Sequence, residues 1–217
     1  MKKYCIFDLD GTLLDTASTI THYCNETLSF FDLPAITEEE CITFVGDGPR
    51  KLMERMLAYR GVTDQGTVES ALGYYISAYD RDPYLKTEPF GGITELLSRL
   101  HERGVKVGVV SNKQDSSTKA SVSHFLGELV DMTVGSMPGV PLKPSPVSSI
   151  SLLEKLGGRA CECVFVGDSP QDMTTGRAMG AFTVGVSWGF RDGDSLLRAG
   201  ADRVIDVPNE LLEVFKE

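Results

Sequence analysis

The sequence predicts an α/β protein: a doubly wound parallel sheet with a Rossmann-like core and a helical cap domain inserted after the first strand. Three observations carry this. From residue 83 onward, β-branched runs alternate with amphipathic ones, as in "VKVGVVSN" then "SSTKASVSHFLG", and "CVFVGD" then "PQDMTTGRAMG". Such alternation implies βαβ units and a parallel sheet covered by helices. Residues 16 to about 82 carry helical spacing alone. The expected strands also end in acids, a serine and an asparagine, at the edge where open parallel sheets bind ligands.

The chain has 217 residues, 41% hydrophobic and 24% charged, which suits one domain or a domain with an insertion. Its formal net charge of −10 argues against nucleic acid and anionic membrane as partners, since both need clustered Lys and Arg. An anionic substrate would need local attraction from a metal or a few placed bases. The five cysteines are odd in number and contain no CxxC pair. Cys161 and Cys163 fall on one face of an expected strand, so buried thiols in a reducing cytoplasm are expected. The first strand begins at about Tyr4, which leaves no room for a signal peptide, and no apolar run approaches the roughly 18 residues of a membrane span.

The opening strand is "YCIF". After Asp15-Thr16 the apolar positions Ile20, Tyr23, Cys24, Leu28 and Phe31 mark an amphipathic helix that Pro34 ends. "TEEECITFVG" opens with a capping box, Thr37 with Glu40. "PRKLMERMLAYRG" has Pro49 at a first helical position and Gly61 as its stop, and "VESALGYYISAYD" continues as helix. "GITELLSRLHERG" is a helix ending at Gly104. After it come the strand "VKVGVVSN", a helix, the strand "VDMTVG", the helix "SPVSSISLLEKLGG", the strand "CVFVGD", a helix and the strand "AFTVGVS". The domains are then 1–15 with 83–217, and 16–82.

The first strand runs straight into "FDLDGTLLDT". On an extended chain, Asp8 and Asp10 point the same way. Two like charges about 4 Å apart repel by roughly 4 kcal/mol at an effective dielectric of about 20. Placing them there demands a proton, a cation or a chemical task. The other strand ends and loops add Ser111 and Asn112, Lys143 in "PLKPSP", and Asp168 with Asp172 in "VGDSPQD". Several carboxylates, a hydroxyl and a lysine form the inventory of a Mg²⁺ site facing a phosphate, because Mg²⁺ takes hard oxygen ligands and substrate phosphate.

"DLDGTLLDT", "VVSN", "KPSP" and "VGDSPQD", in this order after these strands, resemble the four motifs of the haloacid dehalogenase-like hydrolase superfamily. The helical insertion and "FVGDGPRKLMERML" resemble its phosphoglycolate phosphatase branch. The resemblance implies that Asp8 is the nucleophile and forms an aspartyl phosphate. It implies that Asp10 protonates the leaving alkoxide and then activates water. Asp8, the Asp10 backbone carbonyl and Asp168 would hold Mg²⁺ (Mg2+). Ser111 and the backbone at Asn112 would hold phosphate oxygens, and Lys143 would neutralise the nucleophile and the phosphate. Gly11 permits the sharp exit from the strand, and Thr12 is expected to bond back to its loop.

Plainer roles stand beside these. Ser169, Pro170 and Asp172 form a capping box, so Asp172 either caps only or also orients Asp168 or a metal-bound water. Asp15 or Thr16 is expected to cap the helix that follows. His22, His101 and His124 are expected in surface or packing roles, and Trp188 in packing.

The expected function is Mg²⁺-dependent hydrolysis of a small phosphomonoester, a phosphorylated metabolite with 2-phosphoglycolate first. The alternatives are an inorganic pyrophosphatase, a hexose-phosphate mutase and, from another class, a phosphoacceptor signalling domain. The mutase branch typically carries a His five residues after the Asp of the "DT" pair, where this chain has Ile20 and places His22 out of register. The receiver pattern puts its acid pair adjacent and lacks the insertion. In "VGDGPRKL", Gly46 and Gly48 allow close backbone approach, and Arg50 sits in a helical first turn where a cation opposes the helix dipole. Arg50 is therefore either a solvated surface residue or a reader of a substrate carboxylate. Oligomeric state leaves no mark in the sequence.

Overall fold

In the computed structural model, which describes residues 2–216, the apolar run at the start becomes β1 (Tyr4–Phe7), with Cys5, Ile6 and Phe7 all buried. A strand covered on both faces reads as a continuous apolar run, and this one does. It is followed by β2 (Leu14–Asp15), then four helices: α1 (Ala17–Phe30), α2 (Glu38–Phe44), α3 (Gly48–Tyr59) and α4 (Gln65–Tyr79). After β3 (Glu88–Pro89) come α5 (Ile93–Glu102), β4 (Lys106–Gln114), α6 (Asp115–Phe125), β5 (Met132–Ser136) and α7 (Val147–Lys155). The rest is β6 (Cys163–Gly167), α8 (Pro170–Met179), β7 (Phe182–Val186), α9 (Gly193–Arg198), β8 (Arg203–Ile205) and a 3₁₀ run at Pro208–Phe215. No helix among the described residues is long and apolar enough to cross a membrane.

Six strands form one sheet in the order β5-β4-β1-β6-β7-β8, with parallel pairing throughout. The chain winds outward from β1 through β4 and β5, then returns to the other side of β1 at β6. The order reverses between β1 and β6, so the crevice outside their carboxyl ends is the binding position of this topology. Two apolar clusters cover the sheet, one with Phe7, Leu96, Leu100 and Val166, the other with Ile6, Leu152 and Phe165.

The chain divides into two compact units at Asp15/Thr16 and Glu88/Pro89. The helical unit has its own core, including Tyr23, Leu28, Met53, Met56, Leu57 and Tyr75. Thr37 and Glu40 form the capping box of α2. Pro49 lies in the first turn of α3, and Gly61 follows that helix with φ +80°. The unit reaches past residue 82 because that stretch is tied to α1. Tyr23 donates its hydroxyl to the Asp82 carbonyl at 2.7 Å, and the hydroxyls of Thr19 and Thr87 pair at 2.8 Å.

Two expectations change. Cys161 lies exposed in a 3₁₀ turn, Ala160–Glu162, and only Cys163 is buried in β6. The strand begins after that turn, so the alternation rule does not reach Cys161. The C-terminal α9, β8 and 3₁₀ run were not among the expected elements. β8 is three residues long, "RVI", too short for a period, and lies at the sheet edge.

Candidate active site

β1 ends at Phe7, and Asp8 continues its line by donating its backbone N–H to Val166 O at 2.9 Å. The chain then turns sharply. The Leu9 carbonyl accepts from the N–H groups of Thr12, Leu13 and Leu14 at 3.3, 3.0 and 3.0 Å. Gly11 has φ +83°, and a Cβ there would lie 2.4 Å from Asp168 Oδ2. Both its conformation and its closeness to Asp168 require glycine. Gly189 faces Asp168 as tightly, since a Cβ there would lie 2.3 Å from Asp168 Cβ.

The turn corrects the picture of Asp8 and Asp10 as neighbours on one strand face. β1 ends before either residue, and Asp10 sits at the start of the turn, in an isolated bridge to Leu14. The carboxylates that press on Asp8 are Asp172 first and then Asp168. Thr12 bonds back to its own loop through its backbone N–H, but its side chain does not. Its hydroxyl donates to Asp168 Oδ1 at 2.9 Å, while the loop's Leu9 carbonyl already takes three backbone donors. Thr16 stands at the cap position of α1 without capping it, and its buried hydroxyl has no hydrogen-bond partner. Its backbone, φ −117° and ψ 4°, is outside the extended region from which a cap side chain reaches the helix N–H groups.

Lys143 is the hub of the cluster. Its Nζ lies 2.7 Å from Asp8 Oδ1 and 2.7 Å from Asp172 Oδ1, with the side chain 3% exposed. Asn112 fixes the loop that delivers it: its Oδ1 accepts from Lys143 N at 2.8 Å, and its Nδ2 donates to Lys143 O at 3.1 Å. Asp172 also completes the capping box of α8 with Ser169, so it caps the helix and holds the lysine at once. Ser111, buried at the end region of β4, accepts the Lys113 N–H on its hydroxyl at 3.1 Å. Asp168 accepts from Thr12 on one oxygen and from the Phe190 N–H, at 2.8 Å, on the other.

Burial, followed by Asp172, pushes the Asp8 carboxyl well above its usual range, against the pull of Lys143. Burial and then Asp172 raise Asp168 to about 6, opposed by the Phe190 N–H, Thr12 and Lys143. Burial opposes the charge on Lys143, yet Asp172 and Asp8 hold its pKa above the ordinary value. Ligand oxygens of Asp8, Asp168 and Asp172 all lie within 4.8 Å of one another. Three crowded carboxylates share one lysine, and for Asp8 and Asp168 burial and mutual repulsion disfavour the ionised form that a bound cation would favour. The donor set is all hard oxygen, so the residues fit a small divalent cation.

One cation escaped the sequence reading. Lys113 Nζ lies 3.1 Å from Asp10 Oδ1, with side chains 11% and 14% exposed. The expected strand stopped at Asn112, whereas β4 runs to Gln114 with its register slipping between Val110 and Gln114, so strict alternation gave no cue. Arg50 belongs to the helical unit, where its guanidinium pairs with Glu69 of α4 at 2.6 Å and both side chains are about half exposed. Trp188 packs on the sheet's apolar cluster and donates Nε1–H to the Thr12 carbonyl at 3.0 Å, tying down the same turn. His22 stands 4.0 Å from Glu26, His101 3.5 Å from Asp131, and His124 edge-on to Phe125, all outside the cluster.

A doubly wound sheet with an aspartate at its switch point, a buried lysine against that aspartate and further acids from the neighbouring strand and helix defines an acidic, lysine-paired site at the ligand-binding edge of the fold. The chain belongs to the haloacid dehalogenase-like hydrolases, whose family model matches residues 5–186, and within them to the phosphoglycolate phosphatase-like branch. The phosphoglycolate phosphatase of Rhodospirillum rubrum is 32% identical over 196 residues, covering 88% of this chain and 81% of that protein. That of Pectobacterium atrosepticum is 32% identical over 206 residues, covering 92% and 86%. The crystal structure of a provisionally named phosphoglycolate phosphatase from Lactobacillus delbrueckii subsp. bulgaricus matches with a TM-score of 0.94 at 30% identity, covering 99% of this chain and 98% of that one. The resemblance read from the four motifs is borne out.

Proposed function

We propose that the chain is a Mg²⁺-dependent phosphatase that hydrolyses a small phosphomonoester, 2-phosphoglycolate first, through an aspartyl phosphate on Asp8. The observation that carries this reading is the Lys143 ammonium held 2.7 Å from Asp8 and 2.7 Å from Asp172 at the switch point of the sheet. Asp8, Asp168 and the Asp10 carbonyl would hold the ion, with Asp172 behind them. Bound there, Mg²⁺ supplies positive charge that lets a carboxylate and a phosphate dianion approach each other.

Asp8 Oδ1 is engaged by Lys143 and by the Leu9 N–H, at 2.7 Å each, which leaves Oδ2 as the oxygen that attacks phosphorus. Lys143 steadies the nucleophile and, with Ser111 and the backbone at Asn112, the charge on the phosphoryl oxygens. Asp10 gives a proton to the departing alkoxide and later takes one from the water that opens the aspartyl phosphate, a role worth roughly 10²–10⁴ in rate. The covalent step divides one slow hydrolysis into two easier ones. The mutase alternative is disfavoured by Ile20, which is buried in the core of the helical unit where that branch would present a His.

Steady-state assays on 2-phosphoglycolate, p-nitrophenyl phosphate and pyrophosphate test this. The expected result is hydrolysis of both monoesters, 2-phosphoglycolate preferred, and loss of activity in EDTA. Preference for pyrophosphate would replace the substrate, and full activity in EDTA would remove the metal.

A further inference from the structure

We infer that Lys113 reads the leaving-group side of the substrate: it is the cation that pairs with a carboxylate one carbon from the scissile oxygen, and so makes the site selective for carboxylated phosphomonoesters. This rests on the phosphatase reading above and deepens it.

As the proton donor, Asp10 must stand within hydrogen-bond reach of the bridging oxygen. Lys113 Nζ is 3.1 Å from Asp10 Oδ1, so the ammonium is beside the place where the leaving group begins. In 2-phosphoglycolate the carboxyl carbon is two bonds from the bridging oxygen, about 2.5 Å by standard covalent geometry. A carboxylate there falls within the reach of that ammonium.

The other candidate cations are placed for different work. Lys143 is enclosed by Asp8 and Asp172, on the nucleophile's side. Arg50 pairs with Glu69 on the exposed surface of the helical unit, where a charge is strongly screened. The Lys113 side chain is 11% exposed, and a partly desolvated ammonium attracts a second carboxylate much more strongly than a surface one does. Its backbone adds a further constraint. The Lys113 N–H donates to Ser111 Oγ at 3.1 Å, which couples the position of this lysine to the hydroxyl assigned to the phosphate. Phosphate at Ser111 and carboxylate at Lys113 would then be read by two residues of a single strand end, two positions apart.

The alternative is that Lys113 acts only through Asp10, holding that carboxylate in place. The two roles differ in one measurable ratio. Ethyl phosphate carries a methyl group where 2-phosphoglycolate carries the carboxylate, and both have an alkoxide leaving group. The test is steady-state kinetics of the full chain with Mg²⁺ on this pair, for wild type, Lys113→Met, Lys113→Gln and Lys113→Arg. Any loss through Asp10 falls on both substrates and cancels in the ratio of their kcat/KM values. Wild type is expected to prefer 2-phosphoglycolate. Lys113→Met and Lys113→Gln are expected to reduce that preference by roughly 10–100-fold, the worth of a charged hydrogen bond, chiefly through a raised KM for 2-phosphoglycolate. Lys113→Arg, which keeps the charge, is expected to retain most of it. Having two neutral variants keeps the ratio measurable if one of them folds poorly. Equal losses on both substrates would overturn the carboxylate role and leave Lys113 as a positioning residue for Asp10. Wild type that hydrolyses the two esters equally well would also overturn it, with the phosphatase reading intact. Wild type that hydrolyses neither would instead overturn the phosphatase reading on which it rests.

Discussion

The two units of the chain both carry surface ion pairs, but the sheet unit also buries charge. In the sheet unit, Lys143 is buried between Asp8 and Asp172, and Lys113 is nearly buried against Asp10. In the helical unit, the ion pairs Arg50–Glu69, Lys51–Glu54 and Arg81–Glu26 lie on the surface. Exposed pairs contribute about 0–1 kcal/mol, whereas losing one partner of a buried pair costs about 3–5 kcal/mol. The buried network is therefore an arrangement that stability alone does not favour, and it coincides with the strand ends where this topology binds ligands. A charge placed where solvation is lost marks chemistry; a charge left in water marks solubility.

Substitutions should expose that contrast, and the largest effect falls on Asp8. Asp8→Asn is expected to lower kcat by at least ~10³-fold with an unchanged far-UV circular dichroism spectrum. Lys143→Met leaves Asp8 and Asp172 buried without their shared cation. It is expected to cost about 3–5 kcal/mol in denaturant unfolding as well as activity. A cost under about 1 kcal/mol would show that the buried network behaves like the surface pairs. Asp10→Asn is expected to slow turnover by roughly 10²–10⁴, read by rapid quench, and an unchanged rate would end its proton-shuttle role.

A smaller effect concerns pH. The folded Asp168 carboxyl is raised from its ordinary 3.8 to about 6, so between those values the native state holds more protons than the unfolded one. Without a divalent cation, its ionisation therefore lowers stability progressively as pH rises through that window, and the loss is complete above about 6. Mg²⁺ requires the ionised form, so the rise in Tm that it gives should be larger above that pH than below it, and smaller in Asp168→Asn. A Mg²⁺ shift that is equal across the window would separate Asp168 from the ion. The smallest effect belongs to the helical unit: Arg50→Ala should change stability by less than about 1 kcal/mol and KM for 2-phosphoglycolate by less than about threefold. A KM rise specific to 2-phosphoglycolate would transfer the carboxylate-reading role from Lys113 to Arg50.

What the sequence reveals follows from how locally each feature is encoded. β1, β6 and the Val107–Val110 stretch of β4 are contiguous apolar runs, and Asp8, Asp168 and Ser111 follow them, so the fold and these residues are legible. The capping boxes at Thr37 and Ser169 are equally local, each a matter of four residues. The Lys113–Asp10 pair and the Thr12–Asp168 bond join residues 103 and 156 positions apart, and no period or spacing encodes such a meeting. Gly189 is similar: its lack of a side chain matters only because Asp168 and the Gly11 carbonyl close in on it from other segments. β8 failed for a different reason, being too short and too polar at its borders to register.

The central claim is that Asp8 becomes covalently phosphorylated, and the direct measurement is to trap that state. Full-length protein mixed with Mg²⁺ and 2-phosphoglycolate, quenched in acid during turnover and digested, should yield a peptide containing Asp8 that is heavier by one phosphoryl group. Asp8→Asn should yield none, and Asp10→Asn should shift the rate at which the adduct appears or decays. Turnover with no adduct on that peptide, or an adduct on another residue that survives in Asp8→Asn, would contradict the account.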